Sequence, residues 1–181
     1  MVFPYPLDAL LPLIAGLLGS VALALRPPAT VASLAITLAT GVIGAATPLP
    51  RSPREDQHRH LPWLAAAGIG IAAFAAARML QHPMAPRMAP LLVAAVAVAG
   101  IAEELLFRRL LYGALAVWGA PLAVGGSAAI FAAVHVPAYG VAAFPIDLAA
   151  GLVFGWQRWA SGTWTASAVT HAAANLLQAA W

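Results

Sequence analysis

The chain has no cysteine and no lysine. Without cysteine there is no disulfide, no thiol nucleophile and no thiolate metal site. Without lysine there is no serine–lysine dyad. No His-Glu-x-x-His string occurs, which removes the usual helical zinc-protease motif. No Gly-x-Gly-Asp string surrounds Asp147, so an aspartyl-protease reading has no footing. No basic run precedes the first apolar stretch, so the first span is expected to be retained rather than cleaved. Charge is scarcest of all. Only 8% of the residues are charged, against about 25% in soluble domains.

What fills the chain instead is apolar. Of its 181 residues, 62% are hydrophobic, and the mean hydropathy is +0.87. This composition predicts an all-α, polytopic transmembrane helix bundle in which residues 1–181 form a single integral membrane domain. A helix needs ~20 apolar residues to cross ~30 Å of hydrocarbon. Runs of that kind lie at 7–25, 29–47, 61–80, 90–117, 121–139, 142–159 and 164–180. About seven spans are therefore expected, with six to eight allowed by the shortness of the last three. Proline and glycine mark the joins: Pro27-Pro28, Pro48 and Pro50, Pro83 to Pro90, Gly119 to Pro121, Pro137 and Gly162.

The nine arginines outnumber acids, of which there are six. They are spread over loops and one helix, so they read as a topology signal and not as a nucleic-acid footprint. With seven spans, the N-terminal side collects Arg51, Arg54, Arg59, Arg108, Arg109 and Arg158, and the other side Arg26, Arg78 and Arg87. The positive-inside rule then predicts a cytoplasmic N-terminus.

Four charges stand inside the fourth apolar run, in Glu103-Glu104-Leu105-Leu106-Phe107-Arg108-Arg109. A charge near a bilayer centre costs at least ~2.5–3.5 kcal/mol on insertion scales. These charges need internal partners or a function. Glu104 and Arg108 are four apart and are expected to pair across one helical turn. Glu103 points about 100° away and has no local partner, as expected of a working carboxylate. Burial and neighbouring charge can split such a pair into two roles. The plain alternative is a structural ion cluster that joins helices. Three more polar groups lie in apolar surroundings: His135 on one span, and His171 with Asn175, four apart, on another. Together they offer a base, a proton carrier and oxyanion donors.

The strings Glu103-Glu104-xxx-Arg108, Phe131-xxx-His135 and His171-xxx-Asn175 resemble the signature of the CPBP (CAAX protease and bacteriocin-processing, Abi) intramembrane proteases. The flanking Phe107-Arg108-Arg109 and Gly151-Leu-Val-Phe-Gly155-Trp-Gln-Arg resemble it too. The likeness covers residues 90–180 as a catalytic core and leaves 1–89 as accessory transmembrane helices. It implies an intramembrane endopeptidase that cleaves membrane-anchored peptide or protein substrates. Glu103 would activate a water, His135 would hold or polarise that water, and His171 with Asn175 would bind the oxyanion. Glu104 with Arg108 would support the motif structurally. No cofactor is expected on this route. The alternative mechanism is zinc-dependent hydrolysis with Glu103, His135 and His171 as ligands, which match a catalytic zinc site in donor type. A bacterial inner (plasma) membrane is the expected location, with the lipid bilayer and a membrane-anchored substrate as partners and no nucleic acid.

For Glu103 to meet His135, the fourth span must be long enough to place Glu103 near its middle. A non-enzymatic scaffold or immunity-type protein would not need Glu103, His135 and Asn175 together. An ion translocator would spread its polar groups along a path. Gly125-Gly126-Ser127 and Gly151-xxx-Gly155 read as small-residue packing faces. Asp147, after Pro145, reads as a helix cap or a water-facing group. His58, His60 and His82 read as loop residues.

Overall fold

The computed structural model describes residues 9–27, 30–49, 61–80 and 88–180. The chain is an all-α helical bundle, and the described residues contain no strand. Among the described residues seven helices follow one another: α1 (Leu10–Ala24), α2 (Val31–Ala46), α3 (Trp63–Leu80), α4 (Pro90–Trp118), α5 (Ala120–Tyr139), α6 (Phe144–Ser161) and α7 (Thr165–Ala180). They coincide with the seven expected runs to within three residues at each described end. His58, His60, His82 and the loop arginines 51, 54, 59 and 87 lie outside the described residues.

Local chemistry sets the helix ends. Thr30 accepts the Ser33 N–H at 3.1 Å and caps α2. Pro90 opens α4, where its missing N–H costs nothing. Gly140, at φ 81°, turns the chain from α5 towards α6 in a conformation that other residues resist.

Neighbouring contacts give the helix directions. Gly16 lies against Leu111 and Gly19 against Leu106, so α1 runs opposite to α4. Gly41 lies against Ala102 and Gly44 against Leu105, so α2 runs with α4. Phe131 meets Phe107 and His135 meets Glu103, so α5 opposes α4. Gly151 packs on Ala128 and Gly155 on Val124, so α6 opposes α5. This is the small-residue seam expected of that motif. Phe74 stacks on Phe154, and the Leu61 N–H reaches the Ala160 carbonyl, so α3 opposes α6. His171 lies beside Glu104 and Asn175 beside Val96, so α7 opposes α4. Successive helices therefore alternate in direction.

The chain is an integral membrane protein. Helices α3, α4 and α5 are long and apolar enough to cross a bilayer, and α1 and α2 are shorter apolar helices. Large apolar side chains face outwards, among them Leu18 (65% exposed), Leu64 (66%) and Leu91 (81%). An apolar surface of this kind suits lipid and not water. The expectation of spans at α6 and α7 is not matched: α6, with 18 residues, falls short of that apolarity, and α7, with 16, of that length. Their inner faces carry Gln157, Arg158, Thr170, His171 and Asn175.

Helix α4 is not uniform. It is α-helical over Pro90–Glu104, π-helical over Leu105–Leu111, α-helical over Tyr112–Leu115 and 3-10 over Ala116–Trp118. The wide turn starts directly after the glutamate pair, and π segments are frequent at functional sites. Its residues Leu106, Phe107, Leu110 and Leu111 form the main core with Leu23, Phe131, Val134 and Phe154. Glu103 is the fourteenth of 29 residues in α4, so it lies near the middle as the site requires.

Candidate active site

The site has a dry floor. Arg108 and Glu104 are both fully buried, and their ion pair measures 3.2 Å across one turn of α4. The second Arg108 nitrogen donates to the Gly151 carbonyl at 2.9 Å. The guanidinium lies 4.6 Å from the Phe131 ring centre, 5.2 Å from Phe154 and 5.7 Å from Phe107. A buried cation needs such partners, and aromatic faces are among the few that remain apolar. The phenylalanine of Phe131-xxx-His135 thus serves as a wall for Arg108.

Glu104 also meets α7. Its Oε1 is 3.0 Å from Nδ1 of His171. The His171 ring stacks on Phe154, with centroids 4.8 Å apart. Glu104 Oε2 is buried without a hydrogen-bond partner.

Glu103 forms the other level. Its Oε1 takes Arg26 Nη1 at 2.8 Å. Its Oε2 lies 3.8 Å from His135 Nε2 and 4.0 Å from His171 Nε2. His135 Nδ1 is 2.7 Å from the Phe131 carbonyl oxygen, which can only accept, so Nδ1 carries the hydrogen. By the same reasoning, His171 directs Nδ1–H at the Glu104 carboxylate. Both Nε2 atoms are thereby turned towards Glu103. The gaps of 3.8 and 4.0 Å exceed a direct hydrogen bond. They suit one water at ~2.8 Å that donates to Glu103 Oε2 and to one Nε2 and accepts from the other Nε2 in its protonated form.

The level of the site differs from helix to helix. Glu103 is midway along α4, yet His135 is one turn from the end of α5 and Arg26 lies just beyond α1. Asp147 stands in the first turn of α6. The side facing the α1–α2 and α5–α6 turns is therefore shallow. The opposite side is closed by Arg108 and the buried core of Phe107, Phe131 and Phe154.

The structure brings Glu103, His135 and His171 together, with Glu104 and Arg108 beneath them. Asn175 sits beside His171 against Gly100, but its Nδ2 donates to the Val96 carbonyl at 2.8 Å. Val96 is two helical turns before Glu103, so the amide is anchored off the three-group cluster. An amide nitrogen has two hydrogens, and this bond uses one of them. Asp147 does not cap α6: the N-cap position is Ala143 without a side-chain bond, and Asp147 Oδ2 is buried and unbonded. Gly126 closes on Leu115 and Ser127 is buried, whereas Gly125 faces open space.

Two arginines acquire roles that spacing does not show. Arg26 pairs with Glu103, which therefore does have a partner, 77 residues away in sequence. Arg109 donates to the carbonyls of Gly44 and Thr47 at the end of α2, where unsatisfied carbonyls and the helix dipole favour a cation.

A metal fits this arrangement poorly. Tetrahedral zinc with bonds of ~2.0–2.1 Å sets its donors about 3.4 Å apart. The observed 3.8 and 4.0 Å are wider, and the Arg26 cation already holds the Glu103 carboxylate. Among the described residues, no group of three or more His, Asp or Glu side chains could hold a metal ion.

Comparison with known proteins gives one match. A family model described as Rce1-like, Type II CAAX prenyl endopeptidase Rce1-like, matches residues 85–177, 93 of the 181 residues. No curated protein and no solved structure matches the chain.

Proposed function

The chain belongs to the Rce1-like family of type II CAAX prenyl endopeptidases, and on that premise we propose that it is a glutamate-dependent intramembrane endopeptidase. The observation that carries this reading is one carboxylate oxygen of Glu103 facing two imidazole Nε2 atoms at 3.8 and 4.0 Å. A water bound there donates its proton to Glu103 as its oxygen attacks the scissile carbonyl carbon. His135 holds the water. His171, in its imidazolium form with Nε2–H as donor, and the free N–H of Asn175 stabilise the oxyanion, for which Asn175 turns towards the substrate. Glu103 then returns the proton to the leaving amine, which completes hydrolysis with no group consumed but water. Glu104 and Arg108 hold the floor on which His171 is oriented.

No metal enters this route. The substrate class is a membrane-anchored peptide or protein, and the location is a bacterial inner membrane. The N-terminus is cytoplasmic. Arg26, Arg108 and Arg109 are engaged inside the bundle and drop out of the topology count. Of the loop arginines, Arg51, Arg54 and Arg59 then oppose Arg87 alone, and the positive-inside rule favours the side with three.

The test is proteolysis of membrane-anchored peptides in proteoliposomes, comparing wild type with Glu103→Gln, with and without a chelator. Cleavage lost in Glu103→Gln and kept under chelation supports the reading. Cleavage lost on chelation and restored by zinc replaces it with metal hydrolysis. No cleavage, with Glu103→Gln fully functional in cells, points to a scaffold instead.

A further inference from the structure

We propose that Arg26 is a positioning residue for the Glu103 carboxylate, so that the helix pair α1–α2 completes a site whose other groups lie within the matched residues 85–177. The inference rests on the hydrolase reading above.

Arg26 follows the last turn of α1, well outside the matched segment. Its Nη1 is 2.8 Å from Glu103 Oε1 and 3.0 Å from Thr37 Oγ1 of α2. The Thr37 hydroxyl accepts from Arg26 and donates to the Ser33 carbonyl at 2.9 Å, so both of its roles are filled. The guanidinium is thus braced from behind. Its side chain is only 13% exposed.

A glutamate needs such a brace to act as a base. The last torsion of Glu is broad and close to two-fold, so an unheld carboxylate turns freely. With Oε1 fixed on Arg26, Oε2 is the oxygen left for the water and the two imidazoles. A displacement of 1 Å in such a group can cost about 10²-fold in rate.

Docking of α1 and α2 does not depend on this ion pair. Gly16 and Gly19 seat α1 on Leu111 and Leu106, and Gly41 and Gly44 seat α2 on Ala102 and Leu105. Arg109 ties the end of α2 to α4 independently. The contact of Arg26 with Glu103 is therefore available for function.

The experiment uses the full chain in proteoliposomes with three variants: Arg26→Met, Arg26→Lys and Thr37→Val. Arg26→Met is expected to lower kcat by about 10²-fold with KM nearly unchanged. Arg26→Lys and added guanidinium ion each restore part of that loss. Thr37→Val loses less than tenfold. Thermal unfolding of Arg26→Met, Glu103→Gln and the double variant reads the pair without any activity, and non-additive midpoints are expected. Wild-type kcat in Arg26→Met, or additive midpoints, overturns the inference. If Arg26→Met does not fold, Thr37→Val decides, and an unchanged kcat there overturns it. If the wild type cleaves nothing while the midpoints are non-additive, the hydrolase reading fails and Arg26 is a structural partner only.

Discussion

Two adjacent glutamates on one helix occupy opposite kinds of environment. Glu104 stands on the floor, fully buried, with Arg108 and His171 both on its Oε1. Glu103 stands one level towards the helix turns, with Arg26 on one oxygen and two imidazoles beyond bonding distance of the other. The floor is sealed and aromatic-walled, and its spare Glu104 Oε2 is buried without a partner. The free oxygen of the upper level faces two imidazoles instead. A sealed ion pair fixes structure, and a carboxylate whose free oxygen faces imidazoles on the shallow side remains able to accept a proton from a water there. The two roles follow from neighbours and not from residue type.

The largest effect that separates the two levels is expected at Glu103. Glu103→Gln keeps shape and volume and removes the base. A general base contributes about 10²–10⁴ in rate, so kcat should fall to that extent, and because the Gln carbonyl oxygen can still accept from Arg26 the unfolding midpoint should fall less than in Arg108→Met. A Glu103→Gln protein that cleaves at the wild-type rate would erase the difference between the levels.

Arg108→Met should do the reverse. It leaves Glu104 buried without its cation, and breaking a buried pair costs about 3–5 kcal/mol. Thermal unfolding in detergent should show a large drop, and activity should fall only as folded protein is lost. Rate loss in a fully stable Arg108→Met protein would move Arg108 from the floor to the reaction.

Much of this arrangement is legible in the residues. The apolar runs and their proline and glycine joins give all seven helices, because membrane helices are long and uniformly apolar. The 100° step between Glu103 and Glu104 foretells that they face different partners. The four-residue spacing foretells the ion pair of Glu104 with Arg108. Arg26 is not legible, since local spacing cannot join residues 77 apart, and loop arginines are ordinarily topology signals. Asn175 shares a face with His171 as expected, but which carbonyl its amide meets depends on the register of α7 against α4. The π turn is hidden as well. It begins where α2 comes closest, so that a Cβ on Gly44 would lie 2.5 Å from the Leu105 carbonyl oxygen, and local spacing does not show that approach.

A smaller effect tests the wall shared by both levels. The Phe131 ring lies under Arg108, and the Phe131 carbonyl holds His135. Phe131→Leu removes the ring and spares the carbonyl. A desolvated cation–π contact is worth about 2 kcal/mol, so the unfolding midpoint should fall moderately and kcat by less than tenfold. A loss of activity as large as that of Glu103→Gln would show that the ring, and not the backbone, sets the His135 position.

The smallest expected effect is none, and it falls on the metal question. Incubation with a chelator should leave the cleavage rate unchanged, and added zinc should not raise it. Glu103 has one oxygen on a permanent cation, and a dication on the other oxygen would lie close to that guanidinium. At an effective dielectric of about 20, like charges ~4 Å apart repel by about 4 kcal/mol per pair of unit charges, and a dication doubles this. A water carries no such penalty and accepts the spacing of 3.8 and 4.0 Å offered by the two imidazoles. Metal content of the purified protein, measured beside the rate, checks the same point without relying on a substrate. Stoichiometric zinc lost together with activity would mean that Arg26 leaves Glu103 in the working enzyme. The upper level would then be a ligand set, and its contrast with the floor would be one of charge and not of freedom.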